Sequence, residues 1–246
     1  MLILMSSVSA GDIERENVQL QDLLRQVSQH ISKQRLAQAK KILDALEEKH
    51  NISTKSDLEK RGVTNYEPLT NALIDLVRKY KNNQERGLGE KIIQKLIDLG
   101  ADVQYETITT DDRKTGITLL DRALFYEEPR IANALLKSAK SVLPAAVFYT
   151  WLARREIYEG KTIMHFVVAC QDANGGPLDP SICSEVYIAL VKENAPQDIP
   201  DTRGETATAL RERLMKSKKT LAEILADSLG MFQVHLNELA TSLRKK

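Results

Sequence analysis

Apolar residues recur at three- and four-residue steps along most of the chain, the period of helices that bury one face. Near the start, Leu20, Leu23, Leu24, Val27 and Ile31 line one such face, and Leu36, Ala39, Leu43 and Leu46 line a second. With Ser32 as N-cap of the second helix, this predicts an αα-hairpin over residues 1–50, then a linker from Asn51 to Gly62. Farther on, Ile92 pairs with Leu96, Ile131 with Leu135, and Ile182 with Val186 and Leu190. Pro129, after Glu127 and Glu128, suits a helix start, because proline lacks only an amide that the first turn leaves unused. Leu221, Ile224 and Leu225 give a further short helix. Phe232, Leu236, Leu239 and Leu243 give a C-terminal one over 230–246, expected to cap the core. The pattern predicts an all-α chain.

Four segments share one further pattern: Asn65 to Ala72, Gly116 to Ala123, Gly160 to Val167 and Gly204 to Arg211. The second keeps Gly116, Thr118, Leu120 and Ala123; the third keeps Gly160, Thr162 and His165; the first keeps Pro68 and Leu69. A glycine permits a left-handed turn, a threonine caps the helix that follows, and small residues admit a close second helix. Downstream, Leu96 to Asp102 carries Gly100, and Leu190 to Ala195 carries Asn194, each at a position suited to a left-handed helix end. Leu135 to Ala139 is a degraded copy.

These segments resemble the ankyrin signature. The resemblance implies an ankyrin-repeat α-solenoid with hairpin fingers, about four divergent repeats over residues 63–229, the N-terminal αα-hairpin and C-terminal helices serving as caps. The anchors stand at 65, 116, 160 and 204, so the last two steps are 44 residues each, against about 33 in a consensus repeat. The excess falls in two loops, around 81–89 and 171–180, and in enlarged fingers near 104–114 and 140–159. In the second finger, Pro144 to Arg155 predicts an extra helix carrying Val147, Phe148, Tyr149 and Trp151, with Arg154 and Arg155 in its last turn. Its aromatics either dock on the repeats or leave Phe148, Tyr149 or Trp151 exposed as an anchor.

Composition narrows the function. A net charge of +1 gives no electrostatic case for nucleic acid, and no apolar run is long enough to span a bilayer. The opening Met1 to Met5 is too short for a secretory core. Two cysteines, Cys170 and Cys183, make no disulfide framework, and reduced thiols in a cytoplasm are expected. His30, His50, His165 and His235 lack metal-ligand spacing, and His165 falls on the histidine of the repeat signature, which implies a structural hydrogen-bonding role. Gly87-Leu88-Gly89 lacks the third glycine of a phosphate loop. No nucleophile, base and oxyanion donor assemble, so no enzyme, cofactor or metal is expected.

Ankyrin proteins bind other proteins through finger tips and inner helices, and the resemblance implies a monomeric scaffold doing the same with an unidentified protein. The positions it carries over include Tyr105, Lys114, Phe125, Tyr126, Tyr158, Lys161, Arg203 and Glu205, with Trp151 from the extra helix. Aromatic and arginine side chains are the commonest interface anchors. The style also resembles bacterial effectors delivered into a host cytosol, although the tail ends basic, at Arg244, Lys245 and Lys246. An activity in the enlarged finger or N-terminal hairpin, and a self-associating module, are the rival readings.

Overall fold

The computed structural model describes residues 10–80, 87–107, 117–154, 160–171 and 177–217, and these are mostly helical. The chain opens with α1 (Ala10–Ser32), α2 (Leu36–His50) and α3 (Lys55–Lys60). It continues with α4 (Glu67–Lys79), α5 (Leu88–Asp98), α6 (Leu119–Phe125), α7 (Pro129–Val142) and α8 (Ala145–Leu152), then α9 (Ile163–Ala169) and α10 (Pro180–Lys192). A last helix, α11, is described over 207–217. Two-residue strands, β1 (Glu106–Thr107) and β2 (Ile117–Thr118), pair antiparallel just before α6. Isolated bridges, Gln171 with Pro177 and Pro200 with Thr206, mark two further reversals of the chain.

Sequential helices pair: α1 with α2, α4 with α5, α6 with α7, and α9 with α10. The pairs then stack in two layers. In one, α1 packs on α4 and α4 on α6; in the other, α2 packs on α5, α5 on α7 and α7 on α10. The buried apolar side chains form one continuous cluster from Leu20 to Ala207. The faces read from the sequence over residues 20–190 meet it: Ile92, Leu96, Ile131, Leu135, Val186 and Leu190 lie within it, and Leu23 and Ile182 pack against it half-buried. No helix among the described residues is long and apolar enough to cross a membrane.

The helix ends follow local chemistry. After α5, Gly100 adopts φ 107°, donating to Ile97 O while Ala101 donates to Leu96 O; this is the six-to-one closure of a left-handed cap. Asn194 repeats it after α10 at φ 56°, with Ala195 bonding Leu190 O. The expected third end, at Leu135 to Ala139, is not an end. α7 runs on to Val142, because no residue there takes the left-handed turn.

Two N-terminal expectations are corrected. Ser32 does not cap α2: α1 continues through it, the chain turns at Gln34 with φ 57°, and α2 begins with no side-chain cap. Ser32 instead offers its carbonyl to Lys79 Nζ at 3.1 Å. Residues 51–62 are not a linker. They hold α3, closed by a capping box in which Thr54 and Asp57 satisfy each other's backbone amides, and Ile52 and Leu58 are buried. Arg61 pairs with Glu16 of α1 and donates to His50 O, which fastens the first three helices together.

The extra helix of the second finger is present as α8. Pro144 precedes it as N-cap, and the helix stops at Leu152, short of Arg154. The helices expected over 221–243 lie outside the described residues.

Candidate protein-binding face

Three threonines 44 residues apart, Thr118, Thr162 and Thr206, immediately precede α6, α9 and α11. Thr118 accepts from the Asp121 amide at 3.2 Å, while Asp121 Oδ2 accepts from the Thr118 amide at 3.0 Å. Thr206 accepts from the Ala209 amide at 3.1 Å. At Thr162 the partner is the imidazole of His165, 1% exposed: Nδ1 accepts from the Thr162 amide at 3.1 Å and lies 3.0 Å from the hydroxyl. An amide can only donate, so Nδ1 is unprotonated and Nε2 carries the hydrogen. That hydrogen points to the Glu205 carbonyl, 2.9 Å away and forty residues on. The side chain that closes one cap therefore fixes the next reversal of the chain. Thr70, at the equivalent position of α4, also reaches forward: its hydroxyl accepts from the Asp102 amide at 2.9 Å.

The reversal at 200–206 is organised by Asp201, which is 5% exposed. Its Oδ1 accepts from the Arg203 and Glu205 amides at 2.8 and 2.9 Å, leaving Gly204 to turn at φ 79°. Burial pushes the Asp201 carboxyl up, but those two amides and the Arg203 guanidinium outweigh it and hold the group below its ordinary range. The Asp-x-x-Gly spacing before Thr206 is a readable turn signal that the sequence reading passed over.

The expected partner-contacting residues divide. Phe125 is 44% exposed at the end of α6, edge-on to Tyr126 with ring centroids 5.1 Å apart. Tyr105 is exposed beside β1, after an Asp102 turn. The Arg203 side chain is well exposed and lies against Asp201. Glu205 is held by a bidentate pair with Arg213 of α11 at 2.7 and 2.9 Å, which keeps the Glu205 carboxyl below its ordinary range. Lys161 is half-buried. Lys114 and Tyr158 lie outside the described residues. Trp151 is corrected: at 5% exposure, packed beside Phe148, it is a core residue, and the aromatic that α8 presents is Tyr149.

The opposite layer carries a groove of about 850 Å³ across α2, α5 and α7. Ion pairs cross it, with Lys95 Nζ 2.8 Å from Asp44 and 2.7 Å from Glu47. A half-buried polar seam runs beside them: Gln94 donates to Asp98 and accepts from Ser138, both at 2.8 Å. Burial raises the Asp98 carboxyl against the opposing bond from Gln94. These contacts tie one helix to the next. Among the described residues, no group of three or more His, Cys, Asp or Glu could hold a metal ion.

No known protein family matches the chain, and no curated protein does either.

The cysteines are corrected as well. Cys170 and Cys183 form a disulfide with Cα atoms 5.6 Å apart, where two free thiols were expected. Thirteen residues of separation gave no hint of it. The left-handed turn at Cys170, φ 54°, brings the two together. They line a second groove of about 440 Å³ with Val168, Tyr187, Ile188, Leu214 and Met215. Arg211 stacks over the Tyr187 ring at 5.1 Å. This groove was missed, although α10 is apolar on two faces, a pattern that marks a helix with more than one neighbour.

Proposed function

We propose that the chain is an ankyrin-repeat α-solenoid, an adaptor that binds a partner protein through its fingers and inner helices and catalyses nothing. The observation that carries this reading is the reach of His165 from its own Thr162 to the Glu205 carbonyl. A repeat array is stabilised by bonds between neighbouring units, and this contact joins two segments 44 residues apart in register. The stacked pairs α4–α5, α6–α7 and α9–α10 support the same reading. The exposed Phe125–Tyr126 edge, Arg203 and Tyr105 then stand where inner helices and finger tips would meet a partner.

The test is affinity capture from a candidate host or native lysate with the full chain, with Phe125→Ala and Tyr105→Ala beside it. Both side chains are exposed, so both variants should melt like the parent. A protein retained by the parent and lost by both variants supports the reading. Retention that is indifferent to both, with every captured protein equally held, contradicts it.

A further inference from the structure

We infer that Cys170 and Cys183 form a thiol–disulfide exchange site that cycles on the folded chain, with a small dithiol or glutathione as its reaction partner. The inference does not rest on the adaptor reading.

Four observations carry it. First, backbone contacts besides the covalent bond hold the segments of the two cysteines together. The Leu178 amide donates to the Cys170 carbonyl at 2.9 Å, Gln171 bridges to Pro177, and α9 packs on α10. Cross-linking stabilises mainly by closing a loop that would otherwise be open; here backbone contacts already close it. Second, the turn that presents Cys170 is set by backbone bonds. Gln171 donates to Phe166 O at 3.0 Å, so the left-handed conformation of Cys170 belongs to the cap of α9. Third, access is unequal: of the two cysteines that line the groove, Cys170 is half-buried, whereas Cys183 is 5% exposed. Fourth, Cys183 stands in the first turn of α10, where the helix dipole favours a thiolate, although the Asp179 carboxylate at the cap acts against it.

The chemistry follows from that asymmetry. A thiolate of the dithiol attacks Cys170 Sγ; the Cys170–Cys183 bond breaks, and Cys183 leaves as thiolate and takes a proton. The second thiol of the reagent then attacks the mixed disulfide and releases Cys170. The reagent departs as its own disulfide, and the chain has gained two electrons and two protons. Because both sulfurs line the groove with Val168, Tyr187, Leu214 and Met215, the redox state alters the floor of an exposed apolar surface.

The experiment uses the full chain without denaturant. Dithiothreitol is titrated in, and thiols are counted by iodoacetamide mass shift while circular dichroism follows the fold. Expected are two adducts appearing together at constant helicity, and their loss on adding oxidised glutathione. Thiols that appear only as the helices melt would make the bond a structural staple and overturn the inference. So would a purified chain with two thiols that oxidised glutathione cannot join while it is folded. The single variants read the direction of attack. Cys183→Ser should form a mixed disulfide with glutathione at Cys170 at least tenfold faster than Cys170→Ser does at Cys183; equal rates would contradict the assigned order.

Discussion

The caps of α6 and α9 are built on the same plan and differ in the residue that closes them. Three positions after the capping threonine, α6 has Asp121 and α9 has His165. The Asp121 carboxylate turns back on Thr118, taking its amide and hydroxyl through a single oxygen. Imidazole carries nitrogens on opposite edges, so His165 closes the same cap with Nδ1 and still reaches Glu205 with Nε2. His165 thus joins its own helix cap to the next reversal of the chain. Thr70 shows another solution, placing one hydroxyl where the Asp102 amide can meet it.

The largest expected effects test whether the two copies are equivalent in the core. Leu120 and Met164, each four residues past its anchor glycine, are 2% and 0% exposed. Leu120→Ala and Met164→Ala should each destabilise by roughly 2–5 kcal/mol in urea unfolding. A large loss at one and none at the other would break the equivalence of the copies.

His165→Ala should cost about 3 kcal/mol, since it leaves a cavity, strands the Thr162 amide and removes one of two bonds to the Glu205 carbonyl, which keeps the Asp201 amide. Asp121→Ala should cost about 1 kcal/mol, the usual value of a helix cap. Hydrogen exchange sharpens the contrast: His165→Ala should deprotect residues 200–206 as well as α9. Equal losses, or exchange confined to α9, would remove the joint.

Acid gives a smaller effect. Asp201 and Glu205 lie below their ordinary range, and Asp57 is lowered to about 2, chiefly by the Thr54 hydroxyl and the Ser53 amide. Depressed carboxylates stabilise fully above their unfolded pKa and lose that contribution as pH falls through the folded one. The melting midpoint should therefore hold above pH ~4.3 and decline below it toward pH ~2. Burial-raised Asp98 works in the opposite sense. A midpoint that rises on acidification would mean Asp98 outweighs the other three. The Trp151 emission, from the chain's single tryptophan, should be blue-shifted and poorly quenched by acrylamide; a red, quenchable band would put α8 outside the core.

Legibility followed how local each cause is. Gly100 and Asn194 end helices through their own backbone freedom, so their positions could be read directly. The helix in the second finger could be read from Pro144 and a surplus of chain too long for a hairpin. α3 was readable in principle, since Thr54 and Asp57 spell a capping box, but six residues give too little apolar periodicity to draw attention. Ser32 misled because an N-cap residue can equally well lie inside the preceding helix when nothing local stops that helix. The disulfide depends on how α9 meets α10, and the burial of Trp151 and the groove beside α10 on how further helices meet them, which no window of sequence contains. Of the expected contact residues, Phe125, Tyr105 and Arg203 are exposed, as surface chemistry requires, while Trp151 was mistaken because an aromatic reads alike as anchor and as core.

In the proposed adaptor, the partner meets Phe125, Tyr126 and the 200–206 reversal rather than the ionic groove across α2, α5 and α7. Hydrogen exchange of the full chain with and without a captured partner tests it most directly. The account predicts new protection at the end of α6 around Phe125 and Tyr126 and in the 200–206 reversal, with α2, α5 and α7 unchanged. Protection confined to α2, α5 and α7 would contradict it.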